Sequence, residues 1–195
     1  MYGIVNKAIE ELVVSLRGTE GWQHVCKHAG LDGFSFVNIE RYDDALTHRL
    51  VASASEAMGH APEDILRAFG HHWIQYTGKQ GYGAMFQMLG NDVMTFLTRL
   101  PELHDHIALV FPDILMPQFE TRRQDARTMH VTYRSTRRGM APFVFGLLEG
   151  TGKLFGETVD ELAPSSHRAQ FMQVARAMAE NLQISFNRRE RPAQQ

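Results

Sequence analysis

The chain has 195 residues, 44% hydrophobic and 22% charged, with a formal net charge of -2, so it can bury one sizeable core and carries no basic footprint for a nucleic-acid partner. Cys26 is the only cysteine, which excludes an intramolecular disulfide and a cysteine-rich zinc site. No apolar run reaches membrane-span length, and Asn6, Lys7, Glu10 and Glu11 interrupt any signal-peptide core, so the expectation is a cytoplasmic protein with no membrane partner.

From Met1 to Leu16, Ile4, Val5, Ala8, Ile9, Leu12, Val13 and Leu16 recur at helical spacing, with Gly18 beyond the end. A second helix carries Trp22, Val25, Cys26 and Ala29 and stops at Gly30; its His24 and His28 share a face, but with no acid or cysteine in phase they read as surface histidines. Asp43 or Asp44 caps a third helix ending at Gly59, and Pro62, followed by Glu63 and Asp64, opens a fourth. Glycines at 78, 81 and 83 break the chain before a short helix over 85–89. Asn91 or Asp92 then starts a longer helical stretch reaching about Val110, with an interruption expected near Pro101.

Prolines at 112 and 117 demand a non-helical connection, after which the period changes to two. Met129, Val131 and Tyr133 alternate with His130, Thr132 and Arg134, so a pair of antiparallel strands is expected over 118–134. Residues 140–155 return to helix. Beyond Gly156 the pattern predicts a helix over 169–180, a terminal strand over 182–186 and a disordered tail over 188–195. The fold class expected is α+β, with a helical N-terminal part packed on a C-terminal part of antiparallel sheet plus helix, forming one domain over 1–187.

The stretch Tyr133-Arg-Ser135-Thr-Arg137 holds the first chemistry. If the strand continues, these three side chains lie on one face in a row roughly 13 Å long. A phenol, a hydroxyl and a guanidinium with no acid among them suit an anionic ligand with two carboxylates, and a haem with its two propionates has that shape. The alternative is an amphipathic edge strand whose polar face is wet. A haem iron needs an axial ligand, commonly histidine. His71 and His72 point about 100° apart on a helix, so at most one faces a given pocket. His104, flanked by Leu100, Leu103, Ile107 and Ala108, has the better surroundings, although on these neighbours alone it reads first as a satisfied, partly buried histidine.

Several of these stretches together resemble the haem-nitric oxide/oxygen-binding family, H-NOX, also found at the N-terminus of soluble guanylate cyclase subunits. Met1-Tyr-Gly-Ile-Val-Asn6 resembles the family's opening, and Phe96-Leu-Thr-Arg-Leu-Pro-Glu-Leu-His104 its proximal helix. Phe111-Pro112 to Pro117-Gln-Phe119 resembles the following loop, Tyr133-X-Ser135-X-Arg137 the propionate triad, and Gly146-Leu-Leu-Glu-Gly150 the next helix. The resemblance covers roughly residues 1–155. It implies haem b (iron protoporphyrin IX) between the two parts, with His104 as proximal iron ligand and Tyr133, Ser135 and Arg137 on the propionates. It further implies Pro117 against the porphyrin and a distal pocket of Val5, Trp73, Thr77, Phe143 and Leu147. Oxygen-binding members carry a tyrosine three residues before the glycine matching Gly146, and this chain has Phe143 there. The resemblance thus implies a sensor of nitric oxide and carbon monoxide that binds oxygen poorly, with an oxygen-binding sensor as alternative.

Family members usually finish with strands, so a helix over 169–180 makes the segment 156–187 atypical. The resemblance also implies signalling through release of the proximal histidine to a separate histidine kinase, cyclic-di-GMP enzyme or chemotaxis receptor. The rival from another class is a metal-dependent enzyme using His71, His72, His104 and His106, which lacks a carboxylate in phase.

Overall fold

The structure, a computed structural model, describes residues 1–77, 80, 83–111, 114–137, 139–161 and 179–188, with 110, 161 and 179–188 as backbone alone. It forms two compact units, residues 1–76 with 142–147 and residues 77–141 with 148 onward.

In the first unit, α1 (Gly3–His28) is a helical run broken at Gly18, whose φ of 70° and ψ of -179° lie outside the helical region, at the boundary the sequence predicts between two helices. Helix α2 (Asp44–Met58) begins where the Asp43 carboxylate accepts the Ala45 N–H at 2.9 Å and ends on left-handed Gly59. Helix α3 (Pro62–Thr77) carries Glu63 and Asp64 in its first turn, where the helix dipole favours negative charge. Apolar positions at helical spacing close the core: Ile9, Val13, Val25, Leu50 and Phe69 are 0–1% exposed. One polar tie crosses it, from Thr47 Oγ1 to Asn6 Oδ1 at 2.8 Å, and both residues are buried.

The segment 142–147 presses on α3 at two glycines. A Cβ on Gly70 would collide with the Phe143 carbonyl, and one on Gly146 with the Arg67 carbonyl. Backbones that close leave room only for hydrogen at Cα. Beside this crossing the Arg67 guanidinium lies 4.3 Å from the Phe145 ring centroid.

In the second unit, α4 (Gly83–Leu89) precedes α5 (Val93–Val110), whose cap is Asp92, accepting the Thr95 N–H at 2.7 Å. The interruption expected near Pro101 does not occur, since α5 runs through it. An interior proline costs about 3 kcal/mol or more. Phe96, Leu97 and Leu103, all buried, hold the helix on both sides of it, and tertiary burial outweighs the lost hydrogen bond.

Strands β1 (Gln118–Arg123) and β2 (Thr128–Arg134) form the expected antiparallel pair, with Phe119 opposite Tyr133. Met129, Val131 and Tyr133 are buried, whereas His130, Thr132 and Arg134 are partly exposed, as the period of two requires. Helix α6 (Ala141–Phe155) ends on left-handed Gly156. Strands β3 (Glu157–Glu161) and β4 (Ala179–Arg188) complete a four-stranded antiparallel sheet in the order β1-β2-β4-β3. The terminal strand is therefore longer than the sequence predicts. Ala179 and Glu180, assigned to a helix by their spacing, instead pair with Arg134 and Tyr133. A ladder along β2 is a long-range partner that local spacing does not register. Arg188, expected in the disordered tail, is instead the last residue of β4 and pairs with Glu157, while the remainder of that tail, 189–195, the rest of the predicted helix, 169–178, and Gly78, Gly81 and Pro112 lie outside the described residues.

The class is α+β. Among the described residues no helix is long and apolar enough to cross a membrane. The glycine crossing leads to a direct expectation: Gly146→Ala should lower stability by about 1–3 kcal/mol through overpacking, read as an earlier midpoint in urea unfolding. An unchanged midpoint would mean that the crossing yields freely.

Candidate cofactor site

Helix α5 delivers His104 in a half-buried setting, next to buried Leu103. Its Nδ1 lies 3.1 Å from the Pro117 carbonyl oxygen. A carbonyl oxygen only accepts, so Nδ1 carries the proton and the lone pair of the neutral ring sits on Nε2. Metal-binding histidines are set in this way, one nitrogen donating to a carbonyl and the other left for the metal. Nε2 has no hydrogen-bond partner among the described residues. Burial pushes the His104 pKa below the ordinary imidazole value of 6.5, against the opposing pull of the Pro117 hydrogen bond and the Asp105 charge. The ring is thereby kept neutral, the form that ligates.

The triad is not the straight row that a continued strand would give. Strand β2 ends at Arg134, whose partners, Gln118 and Ala179, are the first residues of β1 and β4. Among the described residues the pairing of β2 ends there, and the chain bends at 136–137. Ser135 Oγ accepts the backbone N–H of Arg137 at 3.1 Å, a side-chain turn that replaces the ladder. Arg137 Nη1 then donates to the Leu115 carbonyl at 3.0 Å. Tyr133 is 5% exposed. Leu115 and Pro117 thus offer carbonyls two residues apart, one to Arg137 and one to His104.

Phe119 stands among these groups. Its ring centroid is 5.8 Å from that of His104 and 5.4 Å from that of Tyr133. Neither Phe119 nor the Leu115 carbonyl stands out from residue spacing. A signal for Phe119 was present, because it is the only apolar residue in Gln118-Phe-Glu-Thr-Arg-Arg123, whereas a backbone carbonyl leaves none.

Val5, Trp73, Phe143 and Leu147, all of the first unit, are half-buried, although Ile9, Phe69, Val144 and Phe145 nearby are core. Phe69 holds Phe143 at 4.8 Å and Trp73 at 6.2 Å between centroids. Large apolar side chains left half-covered beside a closed core suit an apolar ligand face. Thr77, of the second unit, is buried. Taken unit by unit, the first unit's residues fit the apolar body of a ligand, and the second unit's fit carboxylates and a metal that takes one imidazole. The rival histidine set does not assemble. His72 Nε2 lies 3.5 Å from Glu11, His106 Nδ1 lies 2.6 Å from the Glu102 carbonyl, and no three His, Cys, Asp or Glu side chains among the described residues form a metal-ready group.

An α+β chain whose second unit presents such an imidazole near a phenol, a hydroxyl and a guanidinium has the outline of a cofactor-binding domain. Residues 2–161 match the family model described as Haem-NO-binding, and the chain belongs to that family. It is 24% identical over 190 residues to soluble guanylate cyclase gcy-31 of Caenorhabditis elegans, covering 96% of this chain and 27% of that protein. It is also 24% identical over 155 residues to soluble guanylate cyclase 89Db of Drosophila melanogaster, covering 80% and 23%. The chain thus spans about a quarter of the length of these curated relatives. Among solved structures, a mutant H-NOX protein from S. oneidensis in the Fe(II) ligation state aligns with a TM-score of 0.83 at 16% identity, covering 97% of this chain and 98% of that one. The Cs H-NOX mutant with 4-cyano-L-phenylalanine at site 5 aligns with a TM-score of 0.78 at 20% identity over the whole of both chains.

The lowered His104 pKa has a consequence for stability. The unfolded chain binds this proton more tightly than the folded one. The contribution of neutral His104 is therefore complete above about pH 6.5 and lost as pH falls from there through the folded-state pKa. The cofactor-free chain should lose stability on acidification through that window, and His104→Gln should flatten the loss in urea titrations at stepped pH. An equal slope in both proteins would assign the effect to another group.

Proposed function

We propose that this chain is a haem-based gas sensor that binds nitric oxide and carbon monoxide, retains oxygen poorly and passes its signal to a separate protein. The observation carrying this reading is the His104 imidazole, neutral, half-buried and proton-donating through Nδ1 to Pro117, which leaves Nε2 for iron. Haem b, when bound, supplies the ferrous iron that holds the gas. Tyr133, Ser135 and Arg137 would hold its propionates, and Pro117 would lie against the porphyrin. Val5, Trp73, Thr77, Phe143 and Leu147 would line the gas-facing side.

His104 is tied to the 114–117 segment by one hydrogen bond, and a net bond of this kind is worth about 1 kcal/mol. With Nε2 unligated, the imidazole would be restrained by that bond and by packing, while α5 is also held at Arg99 and Val93 by hydrogen bonds to the Met88 carbonyl and the Glu157 carboxylate. Movement of α5 is then the change that a histidine kinase, cyclic-di-GMP enzyme or chemotaxis receptor reads, and such an element is biased only by differential affinity for its two positions. We read the chain as a sensor and not as a catalyst.

Selectivity follows from Phe143. Retained oxygen develops negative charge on its outer atom and is favoured by a hydrogen-bond donor, which a phenyl ring does not provide. In the first unit that ring is packed on Phe69.

The first test is the visible spectrum of the dithionite-reduced protein. It should be that of ferrous haem, shift to a five-coordinate form with nitric oxide, and give no stable complex in air. His104→Gly should abolish normal ligation and recover it with added imidazole. Failure to take up haem on reconstitution overturns the reading, and a stable oxygen complex overturns the selectivity. Phe143→Tyr should gain measurable oxygen binding, and a variant that still gives none in air would show that this position does not set the preference.

A further inference from the structure

A hydrogen bond at Nδ1 holds one edge of an imidazole already tethered through Cβ, but its tolerance of N–H···O angle leaves the ring plane some tilt. His104 has such a bond to Pro117. A second constraint is needed for a defined ring plane, and in the second unit Phe119 supplies it. The two rings lie 5.8 Å apart between centroids, at an interplanar angle of 55°. This tilted geometry is favourable for aromatic pairs. Phe119 in turn rests on Tyr133. It is 9% exposed, stands opposite Tyr133 in the register of β1 and β2, and meets the 5% exposed Tyr133 ring at 5.4 Å and 40°.

We propose that Phe119 is a positioning residue that sets the plane of the His104 imidazole and makes that plane depend on what Tyr133 holds. The inference rests on the haem-sensor reading, in which the Tyr133 hydroxyl donates to a propionate. Side chains directly opposite on neighbouring strands are in contact, so a tilt of one ring is passed to the other. A carboxylate drawing on the Tyr133 hydroxyl therefore moves the Tyr133 ring, that ring moves Phe119, and Phe119 turns His104. The anionic end of the ligand and its metal end are coupled through one buried phenyl ring. A leucine at 119 fills similar space without offering an aromatic face, so it preserves burial and removes the orientation.

The test uses the iron–histidine stretching band of the ferrous protein in resonance Raman spectra. Phe119→Leu should keep haem but shift and broaden the band, Phe119→Tyr should restore a single band near the wild-type position, and nitric oxide should displace His104 roughly two- to tenfold faster in Phe119→Leu. Tyr133→Phe, which keeps the ring and removes the hydroxyl, should shift the band when Phe119 is present and leave it unmoved in the Phe119→Leu background. A band of unchanged position and width in Phe119→Leu overturns the positioning role, and equal Tyr133→Phe shifts in both backgrounds overturn the coupling. Should Phe119→Leu fail to fold, Phe119→Met serves in its place. The haem-free protein separates this inference from the reading beneath it. Its His104 ring resonances, sharp in the wild type and exchange-broadened in Phe119→Leu by nitrogen-15 NMR, report ring position even if no haem is ever taken up, and sharp resonances in both overturn the proposal.

Discussion

The second unit depends on the hydrogen bond that His104 Nδ1 donates to the Pro117 carbonyl. It selects one tautomer of the ring, and with it the nitrogen that can serve a metal. Two constraints bring the partners together. Asp92 starts α5 and the helix continues through Pro101, so His104 arrives at a defined height on a rigid rod. Pro117, with its fixed φ, immediately precedes β1, which anchors the carbonyl from the sheet side. Without the bond the ring would face a desolvated pocket with no partner for its N–H, a cost of about 1–3 kcal/mol.

The first unit solves a different problem. Its large apolar side chains must be placed firmly while remaining partly uncovered. The two-glycine crossing does this. Gly70 and Gly146 let the 142–147 segment approach α3 until backbone meets backbone, and Phe143 and Leu147 are thereby set by main-chain contact as well as by side-chain packing. Phe69 finishes the arrangement from beneath, fully buried and touching both Phe143 and Trp73. A rigid backing for half-covered side chains is what a binding wall requires.

Likeness operates at different strengths. The family match covers residues 2–161 and places the chain among haem-NO-binding domains. The H-NOX structures, at 16–20% identity, establish the architecture. The gas preference and the partner proposed above rest instead on individual side chains, Phe143 for the first and the surfaces of α5 and the sheet for the second.

Much of this was legible without coordinates wherever the signal is local. A cap at Asp43 or Asp44 and another at Asn91 or Asp92, Pro62 as a helix start, Gly59 as a helix end, and the alternation of Met129, Val131 and Tyr133 all follow from what a few neighbouring residues can do with one another's backbone. The sequence by itself thus determined most of the helices up to Phe155 and the first hairpin, and it singled out the residues proposed to hold an anionic cofactor. Tertiary structure decided the rest. Helix α5 survives Pro101 because buried neighbours outweigh a lost hydrogen bond, and Ala179 is extended because β2 offers it a ladder. The triad bends after Arg134, where β1 begins opposite that residue and the Ser135 hydroxyl takes the Arg137 N–H. Phe119 and the Leu115 carbonyl matter through what lies across space from them. Local chemistry fixes what each residue is able to do, and long-range pairing and burial, which carry no short-range signature, fix which of those abilities is used.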